Sequence, residues 1–356
     1  MKKLYTQEKY KKQQNIQQRR ALVKKSRSSK CYQKSDYPEY IKTRSSKIEK
    51  RKTLDAPIHF SLINNDEESL KFFDDFMSFI EKGYYKFQFD MKSVEKLDIE
   101  ILLYIISLHK IYEKKINIQL KIKVPTKQSL KYIMIASGFS QYFKPNIEIS
   151  EIDEENIFPI CDGATNRLNK KDDGQTCAEA VDFAKKFFNK SDEKNQIFRL
   201  LYTSLAELML NTDNHAYDED LEKTTIDNWY LFAVKLDDKI IFYFFDNGKG
   251  ITKTARNKII DKAYGLINLE QKNILQSVLK GEFRSKTGIG HRGKGLPQIN
   301  ELLTDNKVGL SVILTNKVRR YYNNIDDYKK VPYDFRGSLF IWTLPLPSMR
   351  GESNGK

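Results

Sequence analysis

The chain predicts an α/β protein: a basic tail, then a small α/β unit, then a larger α/β sandwich with helices on one face of a mixed sheet. Three observations carry this. From residue 55 onward, runs of strand period alternate with runs of helical period. The formal charge of +15 sits at one end, because residues 1–54 hold 18 Lys and Arg against four Asp and Glu. Glycines cluster after one apolar strand-like run, at Gly248 and Gly250, and before one amphipathic run, at Gly288, Gly290, Gly293 and Gly295.

The tail is rich in Lys, Arg, Gln, Ser and Tyr and has few large aliphatic residues. Such a segment buries too little apolar surface to offset its ordering entropy, so residues 1–54 are expected to be largely disordered. Residues 55–155 read as the small unit. Ile58 to Leu62 and Tyr85 to Phe89 alternate as strands do, and Ile116 to Val124 reads as a third strand. Glu67 to Glu81 and Leu97 to Tyr112 have amphipathic helical spacing, and Lys127 to Gly138 reads as a further helix. Residues 156–175, with Asp162, Gly163, Asp172, Asp173 and Gly174, read as a linker. Residues 176–356 form the larger unit, with strands at Asn228 to Lys235, Lys239 to Phe245, Gly309 to Leu314 and Ser338 to Thr343.

Composition narrows the function classes. No run approaches the length of a membrane span, and no apolar block follows the basic N-terminus, so a soluble, cytoplasmic protein is expected. Cys31, Cys161 and Cys177 are odd in number and far apart, which suits a reduced compartment and offers no zinc pairing.

Three elements carry candidate chemistry. In the first, Ser191 caps a helix whose buried stripe is Ile197, Leu200, Leu201, Leu205 and Leu208, with Asp192 and Glu193 at its positive end. Glu207, Asn211 and His215 are spaced by four on this helix and share one face, where a carboxylate, an amide and an imidazole suit a metal–phosphate group. An ordinary solvated face has the same spacing. In the second, Asp246-Asn247-Gly248-Lys249-Gly250 follows the run Ile240 to Phe245; its glycines permit a tight turn and close approach of a ligand. An Asn-Gly turn without a ligand reads the same way. In the third, the segment from Thr287 to Leu303 places glycine amides before a helix, with His291, Arg292 and Lys294 adding positive charge. That is an anion site or a plain surface loop. It is neither a Walker loop nor a dinucleotide fingerprint, since it lacks the strand and the Gly-Lys-Ser/Thr.

Taken in order, Glu207-x-x-x-Asn211, Asp246-x-Gly248-x-Gly250 and Gly293-x-Gly295-Leu296 resemble the motif series of the Bergerat-fold (GHKL) ATPases. Arg336-Gly337-Ser338, before the strand ending in Leu344-Pro345, is similar to that superfamily's last box, which usually has Thr at the Ser338 position. The resemblance covers roughly residues 176–347 and implies ATP and Mg²⁺ as cofactors. It implies that Asn211 ligates Mg²⁺ and that Asp246 reads the adenine amine, helped by Ser338. Gly248 and Gly250 would let the nucleotide lie close, while Gly293, Lys294 and Gly295 would wrap the phosphates. Residues 252–292 would be a mobile lid. Glu207 corresponds to the catalytic acid position and would act as a general base. His215, His291 and Arg292 are candidate phosphate contacts; for His215, packing at the helix end is an equal reading.

Residues 55–155 resemble the STAS domains of anti-sigma-factor antagonists, through the stretch from Phe89 to Leu108 and that from Ser129 to Phe143. The antagonists' phosphorylatable Ser follows an Asp at the helix start; here Ile99 and Glu100 follow Asp98. A docking site for an unidentified protein partner, or a spacer role, is therefore expected in place of a phosphoacceptor.

Three activities follow from the resemblance. An ATPase whose lid closure switches a partner is ranked first. A protein kinase of sensor-kinase or anti-sigma-factor-kinase type, acting on a separate partner, is second. An ATP-dependent binding module with little turnover is third, and a homodimer stays open. Self-phosphorylation is disfavoured: of four histidines, only His109 lies on a candidate helix outside the nucleotide motifs, and a solvent-facing or internally satisfied role fits it better.

The tail's charge has three readings: a solvated leader or docking arm for an acidic protein, a nucleic-acid arm, or contact with an anionic membrane surface. If nucleic acid is the partner, deleting residues 1–54 abolishes binding with a steep salt slope in filter-binding titrations, and ATPase activity survives. Equal binding by both proteins eliminates the tail as a nucleic-acid arm.

Overall fold

A computed structural model of the protein describes residues 48–143, 147, 155–188, 196–215, 228–260, 270–282, 295–322 and 326–347. Residues 1–47, which hold most of the basic tail, lie outside the described residues, as do Ser191, Asp192 and Glu193. The folded unit begins at Ile48, so residues 48–54 belong to it and not to the tail, and a truncation that spares the fold must end before Ile48.

The N-terminal lobe contains β1 (Lys52–Asp55), β2 (His59–Phe60), α1 (Asp66–Glu81), β3 (Lys86–Asp90), β4 (Lys96–Leu97), α2 (Ile99–Ile116), β5 (Gln119–Lys123), α3 (Gln128–Ala136) and α4 (Ser140–Phe143). Its sheet is parallel, in the order β1-β3-β5, and β2 pairs with β4 in a second short ladder. The C-terminal lobe contains β6 (Ile157–Asp162), α5 (Gly163–Leu168), α6 (Asp173–Lys185), α7 (Gln196–His215), β7 (Trp229–Lys235), β8 (Lys239–Asp246), α8 (Ile251–Ile260), α9 (Gln271–Leu279), α10 (Gly295–Thr304), β9 (Ser311–Tyr322) and β10 (Asp326–Pro345). Its five-stranded sheet has the order β6-β7-β8-β10-β9.

Four expectations need correction. Residues 156–175 are not a linker: they form edge strand β6, then α5 and the start of α6. The sequence cue was misleading because Asp162 and Asp172 are helix caps, accepting hydrogen bonds from the amides of Thr165 and Gly174. The five-stranded sheet is antiparallel at every pair, not mixed. The span 252–292 holds α8 and α9, and α9 buries Ile274, Leu275 and Leu279, so it is not a polar insertion throughout. Finally, helices lie on both faces of the sheet.

The last correction follows from α2. This helix is not amphipathic: every residue from Ile99 to Leu108 is buried. A helix apolar on all sides has to be covered on all sides. One core cluster contains α2, Phe73 and Phe76 of α1, Phe87 and Phe89 of β3, and the sheet residues Tyr230, Phe232, Phe245, Leu314, Leu339 and Ile341. Tyr104 stands edge-on to Phe245, with ring centroids 5.7 Å apart, and lies 4.9 Å from Phe335. The alternate residues of the same strands, Trp229, Leu231, Phe242, Phe244, Phe340 and Trp342, pack on α6, α7, α9 and α10 in a second cluster. The period of two assigns each strand residue to one core or the other.

Buried polar links join the lobes, at Asp162 and at Arg319 among the described residues. Asp162 at the end of β6 accepts from Lys110 Nζ at 3.0 Å and Tyr142 OH at 2.9 Å. It also accepts from Asn228 Nδ2 and Thr165 Oγ1, both at 2.8 Å. Burial works against its charge, but Lys110 and these donors outweigh it and hold the carboxyl at about 2. Arg319 of β9 pairs with Asp66 at 3.2 Å and donates to the carbonyl of Ile63 at 2.7 Å.

Among the described residues Glu100 has no cationic partner. It is 2 % exposed, and its Oε1 accepts from Ser61 Oγ at 3.0 Å. Burial, with the charge of Asp98 adding to it, raises its pKa from 4.5 to about 8. The fold therefore binds this proton more tightly than the unfolded chain does. The resulting stability is complete below the unfolded value of 4.5 and is lost as pH rises toward 8. Glu100→Gln, which has no proton to lose, should gain on the wild type by a few kcal/mol between about pH 5 and about pH 8. Urea denaturation of both proteins across that range checks this, and a constant difference would mean that Glu100 does not titrate in the fold.

Candidate functional site

The motif residues that the structure describes converge in two pairs. The first involves α7, which is apolar at Ile197, Leu200, Leu201, Leu205 and Leu208 as expected, all of them buried. This stripe fixes the helix on the sheet and turns Glu207 and Asn211 toward the start of α10. A Cβ placed on Gly295, the first residue of α10, would lie 2.5 Å from Glu207 Oε2 and 3.0 Å from Asn211 Nδ2. A side chain at this position would have to push the ends of Glu207 and Asn211 aside. Glu207 thus sets its carboxylate against the positive end of α10, and Asn211 Nδ2 is buried without a hydrogen-bond partner among the described residues. A buried amide donor left in this state is uncommon and is the kind of group a ligand oxygen satisfies. His215 is the last residue of α7; its side chain, like Gly293, Lys294, His291 and Arg292, lies outside the described residues.

The second pair is Asp246 and Ser338. They are cross-strand partners on β8 and β10. By the alternation that places Phe244 and Phe340 in the second cluster, both face the layer that holds α7 and α10. Asp246 Oδ1 accepts from the Gly248 amide at 3.0 Å, which folds the chain back on itself in an Asx turn. Gly337, at φ 98°, brings the β10 backbone against the Asp246 carbonyl so closely that a Cβ there would overlap it. Asn247 points away from Asp246: its Oδ1 accepts from the Asn228 amide at 2.7 Å, which anchors the turn to β7.

Sequence reasoning missed the residues that brace this turn. Thr315 and Asn316 on β9, both buried, hydrogen-bond to the segment from Lys249 to Lys253. A Thr-Asn pair at the end of an apolar run gave no signal, because only the strand pairing brings it to Gly250.

His109 is neither exposed nor satisfied. Its ring lies 4.9 Å from that of Phe143, and its Nδ1 is buried without a partner among the described residues. Burial, aided by Lys110 and opposed by Glu113, pushes its pKa down. Cys161 and Cys177 are free thiols, and burial raises the pKa of each, so neither has the character of a reactive thiolate. Among the described residues no group of His, Cys, Asp and Glu forms a metal cluster, and no helix is long and apolar enough to cross a membrane. A scan against protein-family models finds no match to the chain, and a search of curated proteins finds none either.

The two site glycines should respond differently to alanine. At Gly337 the obstacle is backbone and the φ is left-handed, so Gly337→Ala should cost about 2–4 kcal/mol. At Gly295 the obstacles are side-chain ends that can turn aside, so Gly295→Ala should cost under about 1 kcal/mol while displacing the Glu207 carboxylate. Urea denaturation of the two variants measures both costs, and equal costs would contradict this account of the packing.

Proposed function

We propose that residues 156–347 form a Bergerat-type (GHKL) ATP-binding module, with the N-terminal lobe, proposed to be STAS-like, as its constant companion. The observation that carries this reading is the meeting, at Gly295, of Glu207 with Asn211, whose buried Nδ2 has no hydrogen-bond partner among the described residues. Two motifs 84 positions apart in sequence share one spot, and a bare glycine at a helix start suits a phosphate. The pairing of Asp246 with Ser338 on the same side of the sheet supports it independently.

In this reading Asp246 accepts from the adenine amine, and Ser338 contributes its hydroxyl. Gly248 and Gly250 admit the base and ribose to the backbone. Gly295, with Gly293 and Lys294, surrounds the phosphates, and His291 and Arg292 add positive charge. The donor set of carboxylate and amide oxygen is hard, which fits Mg²⁺; Asn211 would hold the ion, which would neutralise phosphate charge. Glu207 orients and deprotonates a water, and nucleotide binding changes what a protein partner meets. A binding module of low turnover is the second reading, and the packing of Glu207 against α10 favours it, because that contact competes with holding a water.

Three variants separate the roles. Asp246→Asn should weaken ATP binding by tenfold or more in calorimetry, and unchanged affinity would remove Asp246 from the site. Asn211→Ala should lose the Mg²⁺ dependence of binding. Glu207→Ala should keep ATP yet lose hydrolysis by about two to four orders of magnitude. Following released phosphate and protein-bound label from γ-labelled ATP together distinguishes hydrolysis from phosphotransfer to protein.

A further inference from the structure

A densely bonded polar side chain near the proposed nucleotide site belongs to none of the motifs. Asn316 is fully buried and has a left-handed backbone, φ 50°. The β9–β10 ladder shifts register on both sides of its pairing with Phe335, and such irregularities re-aim a side chain out of the pleat. The amide is aimed into the turn that follows β8. Its Nδ2 donates to the carbonyl of Lys249 at 2.9 Å. Its Oδ1 accepts from Thr252 Oγ1 at 2.8 Å and from the Lys253 amide at 3.2 Å. Gly250, at φ 84°, passes so close that a Cβ would lie 2.5 Å from Oδ1 and 2.6 Å from Nδ2.

Its neighbours extend the clamp. Thr315 Oγ1 accepts from the Ile251 amide at 2.9 Å and lies 3.1 Å from the Gly337 carbonyl, to which it donates. The Lys317 amide donates to Gln271 Oε1, at the first position of α9, at 2.8 Å. Three consecutive residues of β9 therefore hold the turn after Asp246, the first turn of α8, the start of α9 and the backbone before Ser338.

We propose that Asn316 is a positioning residue of the nucleotide site, fixing the Asp246–Gly250 turn and the root of α8 in one arrangement so that base binding depends on β9. This rests on the ATP-binding reading above. Asn316 touches no nucleotide; it acts through the Lys249 carbonyl, the Lys253 amide and Gly250. Removing its side chain takes these hydrogen bonds from the Lys249 carbonyl and the Lys253 amide, both part-buried, and frees the turn to move.

The test uses the full chain and two variants, Asn316→Ala and Asn316→Gly. The glycine variant tolerates the left-handed backbone, so it removes the amide without adding strain. Calorimetry with ATP and with ADP gives affinity and the fraction of competent sites separately, and amide hydrogen exchange of the nucleotide-free protein reads residues 250–253. The expected result is a tenfold or larger loss of affinity for both nucleotides, an unchanged competent fraction, and faster exchange at 250–253 than in β7. Unchanged affinity overturns the proposal, as does unchanged exchange, or a fall in competent fraction at constant affinity, which marks a purely structural role. If the wild-type protein binds neither nucleotide, the ATP-binding reading fails first and the positioning role falls with it.

Discussion

The all-round burial of α2 is the constraint on which the rest of the architecture depends. Ten consecutive buried residues, Ile99 to Leu108, leave no solvated face. The small parallel sheet cannot cover such a helix on every side, so the five-stranded sheet supplies the remaining wall through Tyr230, Phe245 and Leu339. The hydrophobic effect thus makes one body from what the sequence divides into two units. It also explains why the sheet strands are apolar at successive positions: each carries residues for two cores.

Apolar burial alone would let the lobes slide, since it is not directional. The buried polar links fix the register. Asp162 receives donors from α2, α4, α5 and the approach to β7, so a shift of any one leaves a desolvated carboxylate short of a partner. Arg319 does the same for α1 through Asp66 and the Ile63 carbonyl. Buried ion pairs are weak sources of net stability, but breaking one partner is costly. Their effect here is to penalise alternative packings of α1 and α2 on the sheet.

Much of this was legible in the sequence. The stripe on α7 and the alternation in β7 and β8 were visible because apolar period is a local property. Three things were not. The run Ile101-Leu102-Leu103-Tyr104-Ile105-Ile106 marks a helix buried on all sides, yet it reads as amphipathic when only its flanks are weighed. Asp162 and Asp172 look like linker residues because a cap and a loop use the same side chains. The outer half of the β9–β10 hairpin, from Asn316 to Phe335, escaped notice because Lys317, Arg319, Arg320, Asp327, Lys329 and Lys330 dilute its alternation. Two of those charges are buried, and they are tolerated only because of distant partners. At the proposed site, the motif resemblance singles out Glu207, Asn211, Asp246 and Gly295, whereas Thr315 and Asn316 are brought to the turn by strand pairing, which no local pattern encodes.

That same hairpin limits how the two faces of the sheet can behave. Arg319 and Arg320 are successive residues, so their side chains leave the strand on opposite sides. Arg319 reaches Asp66 in the N-terminal lobe, while Arg320 Nη1 lies 3.0 Å from Asn300 Oδ1 on α10 and 2.9 Å from Tyr322 OH. Tyr322 OH also donates to Asn300 Oδ1 at 2.9 Å. The helix that begins at Gly295, beside Glu207 and Asn211, is therefore tied one turn later to a strand that is itself tied to α1. All three ties are polar and largely desolvated, so stretching any of them costs more than sliding an apolar contact would. A displacement of α10 by a ligand at its N-terminus has two outlets: breaking the Asn300 bonds, or moving β9 and with it Arg319. The first costs Arg320 and Tyr322 their shared acceptor, Asn300 Oδ1; the second disturbs the pair of Arg319 with Asp66.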